Sequence, residues 1–128
     1  MSADSLAREQ VAYLRMLAAD HLITPDGPML DTLTAWLQVA GSRCAHLDEP
    51  QPVYGLLCEP GARMCGDCFQ ATCQTIGVVQ GIAPCDGCAA EIHETDVEAA
   101  KTLIAIDEYT TIAGHACPSS CRSLCDPS

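Results

Sequence analysis

Cys65-Gly66-Asp67-Cys68 and Cys85-Asp86-Gly87-Cys88 are the stretches of this 128-residue chain with the most pointed chemistry. A Cys-x-x-Cys turn aims two thiolates at one point, and two such turns supply the four donors of a tetrahedral metal site. The glycines allow the turn to tighten and let backbone N–H groups face the sulfurs. One such pair alone would equally suit thiol–disulfide exchange. Two pairs, with 16 residues between them, point to metal. Further donors surround them: Cys44-Ala45-His46, the single Cys58 and Cys73, and His93 five residues after Cys88. Segment 44–93 holds seven cysteines and two histidines, enough for two sites of four donors each. Thiolate-rich sets of this kind suit zinc, so two zinc ions are expected.

Two partitions of these donors compete. In a sequential one, Cys65, Cys68, Cys85 and Cys88 share one metal, while Cys44, His46 and Cys58 hold another with Cys73 or His93. In an interleaved one, Cys44, His46, Cys65 and Cys68 make the first site; Cys85 and Cys88 make the second with Cys58 and either Cys73 or His93. The interleaved reading is preferred. Its order of knuckle, hairpin, second knuckle and helix resembles a treble-clef zinc finger, with Cys65 and Cys68 where a helix starts and Met64 apolar before them. Together with Cys85 and Cys88 the segment also resembles a cross-brace module of the RING type. It departs from that pattern in its incomplete second ligand pair and in the single residue between Cys44 and His46. The resemblance covers about 50 residues and implies a shape, not a ligase activity.

Iron–sulfur ligation by Cys58, Cys65, Cys68 and Cys73 is the other metal reading, but the spacing does not match ferredoxin runs. Disulfides would require an oxidising compartment. The acidic start Met-Ser-Ala-Asp lacks the basic and apolar regions of a secretory signal, so a cytoplasmic location with reduced thiols is expected. His115, Cys117, Cys121 and Cys125 form a further group in the tail, suited to a third metal, to disulfides or to a redox-labile end. Asp67 and Asp86 read as turn formers, and His21 as a surface or capping histidine.

The elements that must position these donors divide the chain into four parts. Residues 1–41 read as a helical hairpin, with helices over 4–20 and 28–40. Leu6, Val11, Leu14, Leu17 and Ala18 form the apolar stripe of the first, with Asp4 as its cap. Leu30, Leu33, Leu37 and Ala40 form that of the second, with Trp36 beside it and the breaker Thr24-Pro25-Asp26-Gly27-Pro28 between the helices. Residues 42–93 are the cysteine-rich module, with short strands at 53–57 and 62–64 and a helix over 67–76 stopped by Gly77; Val78, Val79 and Ile82 read as a strand or apolar loop. Residues 94–114 are expected to hold a third, packing helix over 96–108, started by a Thr95/Glu98 capping box. Residues 115–128 form a cysteine-containing tail, loosely ordered unless its thiols are engaged. The expected class is therefore α, with a small irregular zinc-binding α+β module.

Composition narrows the function. One Phe, one Trp and three Tyr leave few bulky side chains for a core, so a small domain gains much from a metal clip. The net charge of -11 is spread evenly along the chain, and no basic face exists to neutralise phosphates. Direct nucleic-acid binding is therefore not expected, nor is a membrane partner, since no long apolar run is present. Closed four-donor sites are structural and keep no open position for substrate; no metalloprotease, phosphate-loop or nucleophile-elbow motif occurs. The chain reads as a non-enzymatic adaptor or regulatory protein, binding a protein partner with a basic or apolar surface. The alternatives are a thiol-based redox or metal-sensing regulator, and a nucleic-acid-associated component of a complex.

Overall fold

The computed structural model describes residues 2–80, 83–118 and 120–125, which form a small mixed α+β domain. A three-stranded sheet lies at its centre, in the order β1 (Val53–Leu56), β5 (Thr110–His115), β4 (Lys101–Ala105). β1 runs parallel to β5, from Val53 opposite Thr110 to Leu56 opposite Ala113. β4 is antiparallel to β5. A second, two-stranded ribbon joins β2 (Ala83–Pro84) to β3 (Glu91–Ile92).

The N-terminal helix pair is present with shifted limits. α1 (Ala3–Leu17) is capped by Ser2, whose hydroxyl oxygen accepts the Ser5 amide at 3.1 Å. The expected cap, Asp4, lies inside the first turn and pairs with Arg8 at 2.7 Å. The helix closes before 20, and a 3-10 turn over Ala19–His21 follows. The inner face of α1 is Ala7 and Val11, both buried; Leu6 and Leu17 of the expected stripe are exposed. Arg15 ties the helix to the β4–β5 hairpin, donating to the carbonyl oxygens of Asp107 and Thr110.

α2 (Gly27–Gln38) starts at Asp26, whose carboxylate accepts the Gly27 amide at 2.8 Å, with Pro28 in its first turn. Its buried face is Met29, Leu33 and Trp36, so the expected stripe is rotated: Leu30 and Leu37 point outward. Trp36 and Met29 on this face are the two largest of the fully buried side chains. The Trp36 indole donates to the Leu56 carbonyl at 2.8 Å. Gly55 makes this packing possible: a Cβ there would lie 2.8 Å from Trp36.

The packing helix expected over 96–108 is replaced by a one-turn helix, α4 (Val97–Ala100), that runs straight into β4. Val97, Ala100, Leu103 and Ile104 fit a helical period, but the buried residues of β4, Thr102 and Ile104, alternate with exposed Lys101 and Ala105. Pairing along its whole length with residues 111–115 of β5, Ile104 opposite Ile112, decides the matter, since strand preference depends on cross-strand partners. Asp107 caps the hairpin by accepting the Tyr109 and Thr110 amides, both at 2.8 Å. His93, not Thr95, caps the 3-10 turn Glu94–Asp96, its ring accepting the Thr95 amide.

α3 spans Gly66–Gln80 and so passes through Gly77 and the pair Val78-Val79. Ile82 lies outside the described residues. The chain's later part is ordered around its thiols: α5 (Cys121–Cys125) packs on α2, with Cys121 and Cys125 buried. Cys125 holds this contact, as its Sγ accepts the Asp26 amide at 3.4 Å and its carbonyl accepts that of Thr24. Among the described residues no helix is long and apolar enough to cross a membrane.

Candidate metal centres

All ten cysteines are free of disulfides. Seven of them and one histidine gather into two groups of four, Cys44/His46/Cys65/Cys68 and Cys85/Cys88/Cys117/Cys121, with the donor atoms of each group within 4.8 Å of one another.

In the first group, Cys44 and His46 come from a turn after α2, and Cys65 and Cys68 from the start of α3. Main-chain bonds place the two halves side by side: the Cys44 amide donates to the Arg63 carbonyl at 3.2 Å and the Arg63 amide to the Ser42 carbonyl at 2.9 Å. Tyr54 and Met64 exchange both of their main-chain bonds, which fixes β1 beside the second half. Tyr54 also stacks on Phe69 at 5.1 Å and so holds α3 in place. The order of turn, ribbon and ligand pair at a helix start matches the shape that the treble-clef resemblance implies.

In the second group, Cys85 and Cys88 sit in the turn that joins β2 to β3. The Cys85 amide donates to the Ala90 carbonyl, and Ala89 closes the turn with a left-handed φ of 62°. Cys117 follows β5, and Cys121 opens α5. Asp86 is more than a turn former: its amide donates to the His115 carbonyl at 2.8 Å and its carboxylate accepts the His115 amide at 2.7 Å. The Thr32 hydroxyl donates to the Asp86 carbonyl at 2.6 Å. The turn is thereby bound to both β5 and α2. Burial pushes the Asp86 carboxyl up, against the lowering effect of the His115 amide.

The donor sets fit a tetrahedral zinc. With Zn–S near 2.3 Å and Zn–N near 2.05 Å, such a site needs about 3.8 Å between sulfurs and about 3.6 Å between sulfur and nitrogen. His46 Nδ1 lies 3.6 Å from Cys65 Sγ and 3.4 Å from Cys68 Sγ, and Cys88 Sγ lies 3.7 Å from Cys117 Sγ. Backbone amides face the sulfurs in both groups: Cys65 donates to Cys44 at 3.2 Å, Cys117 to Cys85 at 3.3 Å, and Cys121 to Cys117 and Gly87 to Cys85 at 3.4 Å. Such bonds stabilise thiolate over thiol.

The thiols divide accordingly. Desolvation alone would raise Cys44, but the amides of Cys65 and His46 and the neighbouring side chains bring it down to about 6. Desolvation likewise opposes the hydrogen bonds from Ser120 and Cys121 that bring Cys117 to about 6. Cys68 is pushed up to about 11, first by its hydrogen bond with Cys65, and Cys121 is pushed up by desolvation and then by the sulfurs around it. Neither the three thiols of the first group nor the four of the second can all ionise unaided; a divalent cation would remove that repulsion.

The groups differ in surroundings. His46 is exposed and Cys44 and Cys68 are half-buried, whereas Cys85, Cys117 and Cys121 belong to the same buried cluster as Met29, Trp36 and Ile112. Of the residues singled out in the sequence, Cys44, His46, Cys65 and Cys68 come together as one set, and Cys85 and Cys88 join another. Cys58, Cys73 and His93 are in neither. The partners of Cys85 and Cys88 are instead Cys117 and Cys121 of the tail, where the four-residue spacing was the available signal. The pairs are thus used in chain order, first with second and third with fourth, which is not a cross-brace. Partial burial, then Asp86 and Glu59, push the Cys58 thiol up, and burial does the same for Cys73. His93 Nδ1 is engaged by Thr95 at 2.9 Å.

The chain thus carries two Cys/His clusters capable of holding metal, a zinc-binding module of unspecified family. No family model, no curated protein and no solved structure matches it.

Proposed function

We propose that the chain is a zinc-stabilised adaptor or regulatory module, and that the outer face of α1 receives a basic, apolar-faced segment of a partner protein. The observation that carries this reading is the second apolar side of α1. Ala7 and Val11 face the domain, while Leu6, Tyr13 and Leu17 follow one another along a separate side of the helix, about 120° round from it at helical spacing, between 48% and 68% exposed, with Met16 exposed on the same helix. A helix that needs only one apolar face to pack has no folding use for the other. Glu9 is exposed on the same helix, and the net charge of -11 favours a basic partner and opposes self-association. Both metal groups offer four donors, a closed arrangement suited to holding structure, so the module acts by binding and not by catalysis. Free thiols in this number suit a reducing compartment such as the cytoplasm.

The test compares the wild-type chain with Leu6→Glu and Leu17→Glu. Partners captured by the wild type are identified, purified and recombined. The expected result is binding of a basic protein, weakened at least tenfold by either substitution with zinc content unchanged. Binding that survives both substitutions would place the surface elsewhere, and concentration-dependent dimerisation by sedimentation would make the occupant a second copy.

A second reading, a thiol-based regulator, rests on the half-buried thiols of Cys44 and Cys68 beside exposed His46 in the first group. There, two thiolates and two protons would react with hydrogen peroxide to give one disulfide and two waters, with release of the metal. Its mark would be zinc loss on peroxide treatment that thiol reductant and added zinc reverse.

A further inference from the structure

The chain has six cationic side chains apart from histidine, and four of them are engaged. Arg8 pairs with Asp4 at 2.7 Å and Glu108 at 3.0 Å, and Lys101 pairs with Glu98 at 2.9 Å. Arg15 donates to the carbonyl oxygens of Asp107 and Thr110 at 2.6 and 2.8 Å and to the Thr111 hydroxyl at 3.1 Å. Arg122 donates to the carbonyl oxygens of Lys101 and Asp20 at 3.0 and 2.7 Å.

Arg43 and Arg63 differ. Among the described residues the guanidinium of each makes a single long hydrogen bond, Arg43 to the Leu47 carbonyl at 3.4 Å and Arg63 to the Thr110 hydroxyl at 3.5 Å. Neither is ion-paired with a carboxylate among the described residues, in a chain with 17 acids. A guanidinium has five N–H donors in a rigid fork, so most of those on this pair are uncommitted. Both side chains line one cavity of about 230 Å³.

Their placement is built into the fold. Arg43 and Arg63 are partners in a parallel bridge, each next to or within two residues of a first-group donor, Cys44 or Cys65. The Arg63 guanidinium lies over the Trp36 ring, 5.3 Å from its centroid, a cation–π contact that restrains the side chain. Two carboxylates also line the cavity. Asp107 is turned to the hairpin, accepting the Tyr109 and Thr110 amides, and its charge acts on Arg15. Glu49 alone remains against two guanidiniums, so the cavity carries a local positive surplus within an acidic molecule.

We propose that this cavity binds a small oxyanion, a carboxylate or phosphate group held between Arg43 and Arg63, with the Thr110 hydroxyl as a further donor. The planar fork suits either anion bidentately. The net charge of -11 over the whole chain opposes a polyanion and favours a ligand with a single anionic head.

The experiment uses the zinc-loaded full chain. Inorganic phosphate and acetate are titrated separately at constant ionic strength, with chloride as the control, while the arginine Nε–H and Thr110 amide signals are followed by NMR. The expected result is a saturable shift at Arg43, Arg63 and Thr110 with one or both anions, the two titrations showing which oxyanion is preferred. Arg43→Gln and Arg63→Gln each weaken it by about tenfold or more, as loss of a charged hydrogen-bond donor does. Arg63→Lys also weakens it, because an ammonium keeps the charge but not the fork. Zinc content and the amide spectrum elsewhere stay unchanged, and exposed Arg43 gives a variant that folds even where Arg63→Gln does not. Shifts no larger than those with chloride, shifts spread evenly over all the cations, or shifts that persist in Arg43→Gln would overturn the site.

Discussion

Cys121 and Cys58 carry the same side chain but have opposite expected consequences when lost. Cys121 is buried among the core side chains and within donor distance of three other thiols, so Cys121→Ser removes a ligand from the interior. The expected outcome is loss of one equivalent of zinc with cooperative unfolding, read by native mass spectrometry and circular dichroism, because metal binding of this kind is folding energy. Cys58→Ser leaves both groups intact and should change stability by no more than about 0.5 kcal/mol in urea denaturation, with two zinc ions retained. The Cys58 thiol gives a pH test as well. Burial, then the charges of Asp86 and Glu59, raise it above the ordinary 9.0, so its thiolate fraction at neutral pH is smaller than that of a free cysteine. In the zinc-loaded protein its alkylation by iodoacetamide should be slow at neutral pH, rise with pH, and still be rising at pH 9. At this scale the sequence was informative where spacing carries geometry. Cys65/Cys68 and Cys85/Cys88 are legible because two intervening residues make a turn. Cys117 and Cys121 are not, because nothing local says that β5 will carry them to the β2–β3 turn.

Elements show the same division. α1, α2 and α3 are legible from periodicity and breakers, and their limits moved by a few residues because caps such as Ser2 compete with nearby Asp4. β4 was not legible. Its five residues suit a helix as well as a strand, and only β5 lying beside it selects the strand. The close fit between α2 and β1 yields a prediction at this scale. A methyl group at Gly55 would meet Trp36 at 2.8 Å and the Ala62 carbonyl at 3.1 Å, so Gly55→Ala must displace the indole or β1. The expected cost is about 1–3 kcal/mol, as for other overpacked sites, measured by urea denaturation of the zinc-loaded protein. A lower or shifted tryptophan emission would accompany it, since the indole N–H loses its bond to Leu56.

Over the whole molecule, the two metal groups lie in unlike places, one at the rim and one in the core. Chelation should therefore proceed in two steps. Zinc held by the group that includes exposed His46 should leave first, with Trp36 fluorescence largely retained; the second ion should leave only as the core opens and the fluorescence changes. A single step in which both ions and the fluorescence change together would show that the groups are one cooperative unit. The sheet order adds a matter of timing. β5 is central, yet of the three strands it is the last to be synthesised, so β1 has no strand beside it until more than 50 further residues have emerged. The ligands of the first group are all made by residue 68, and those of the second only at residue 121. A nascent chain can thus close its rim site early, with α3 and β1 held together around it, while the core waits for its closing piece. Contacts so distant in sequence form slowly. A metal at the rim would then act as a temporary clasp during synthesis, keeping β1 beside α3 and keeping the three thiols of the first group from finding other partners before β5 arrives.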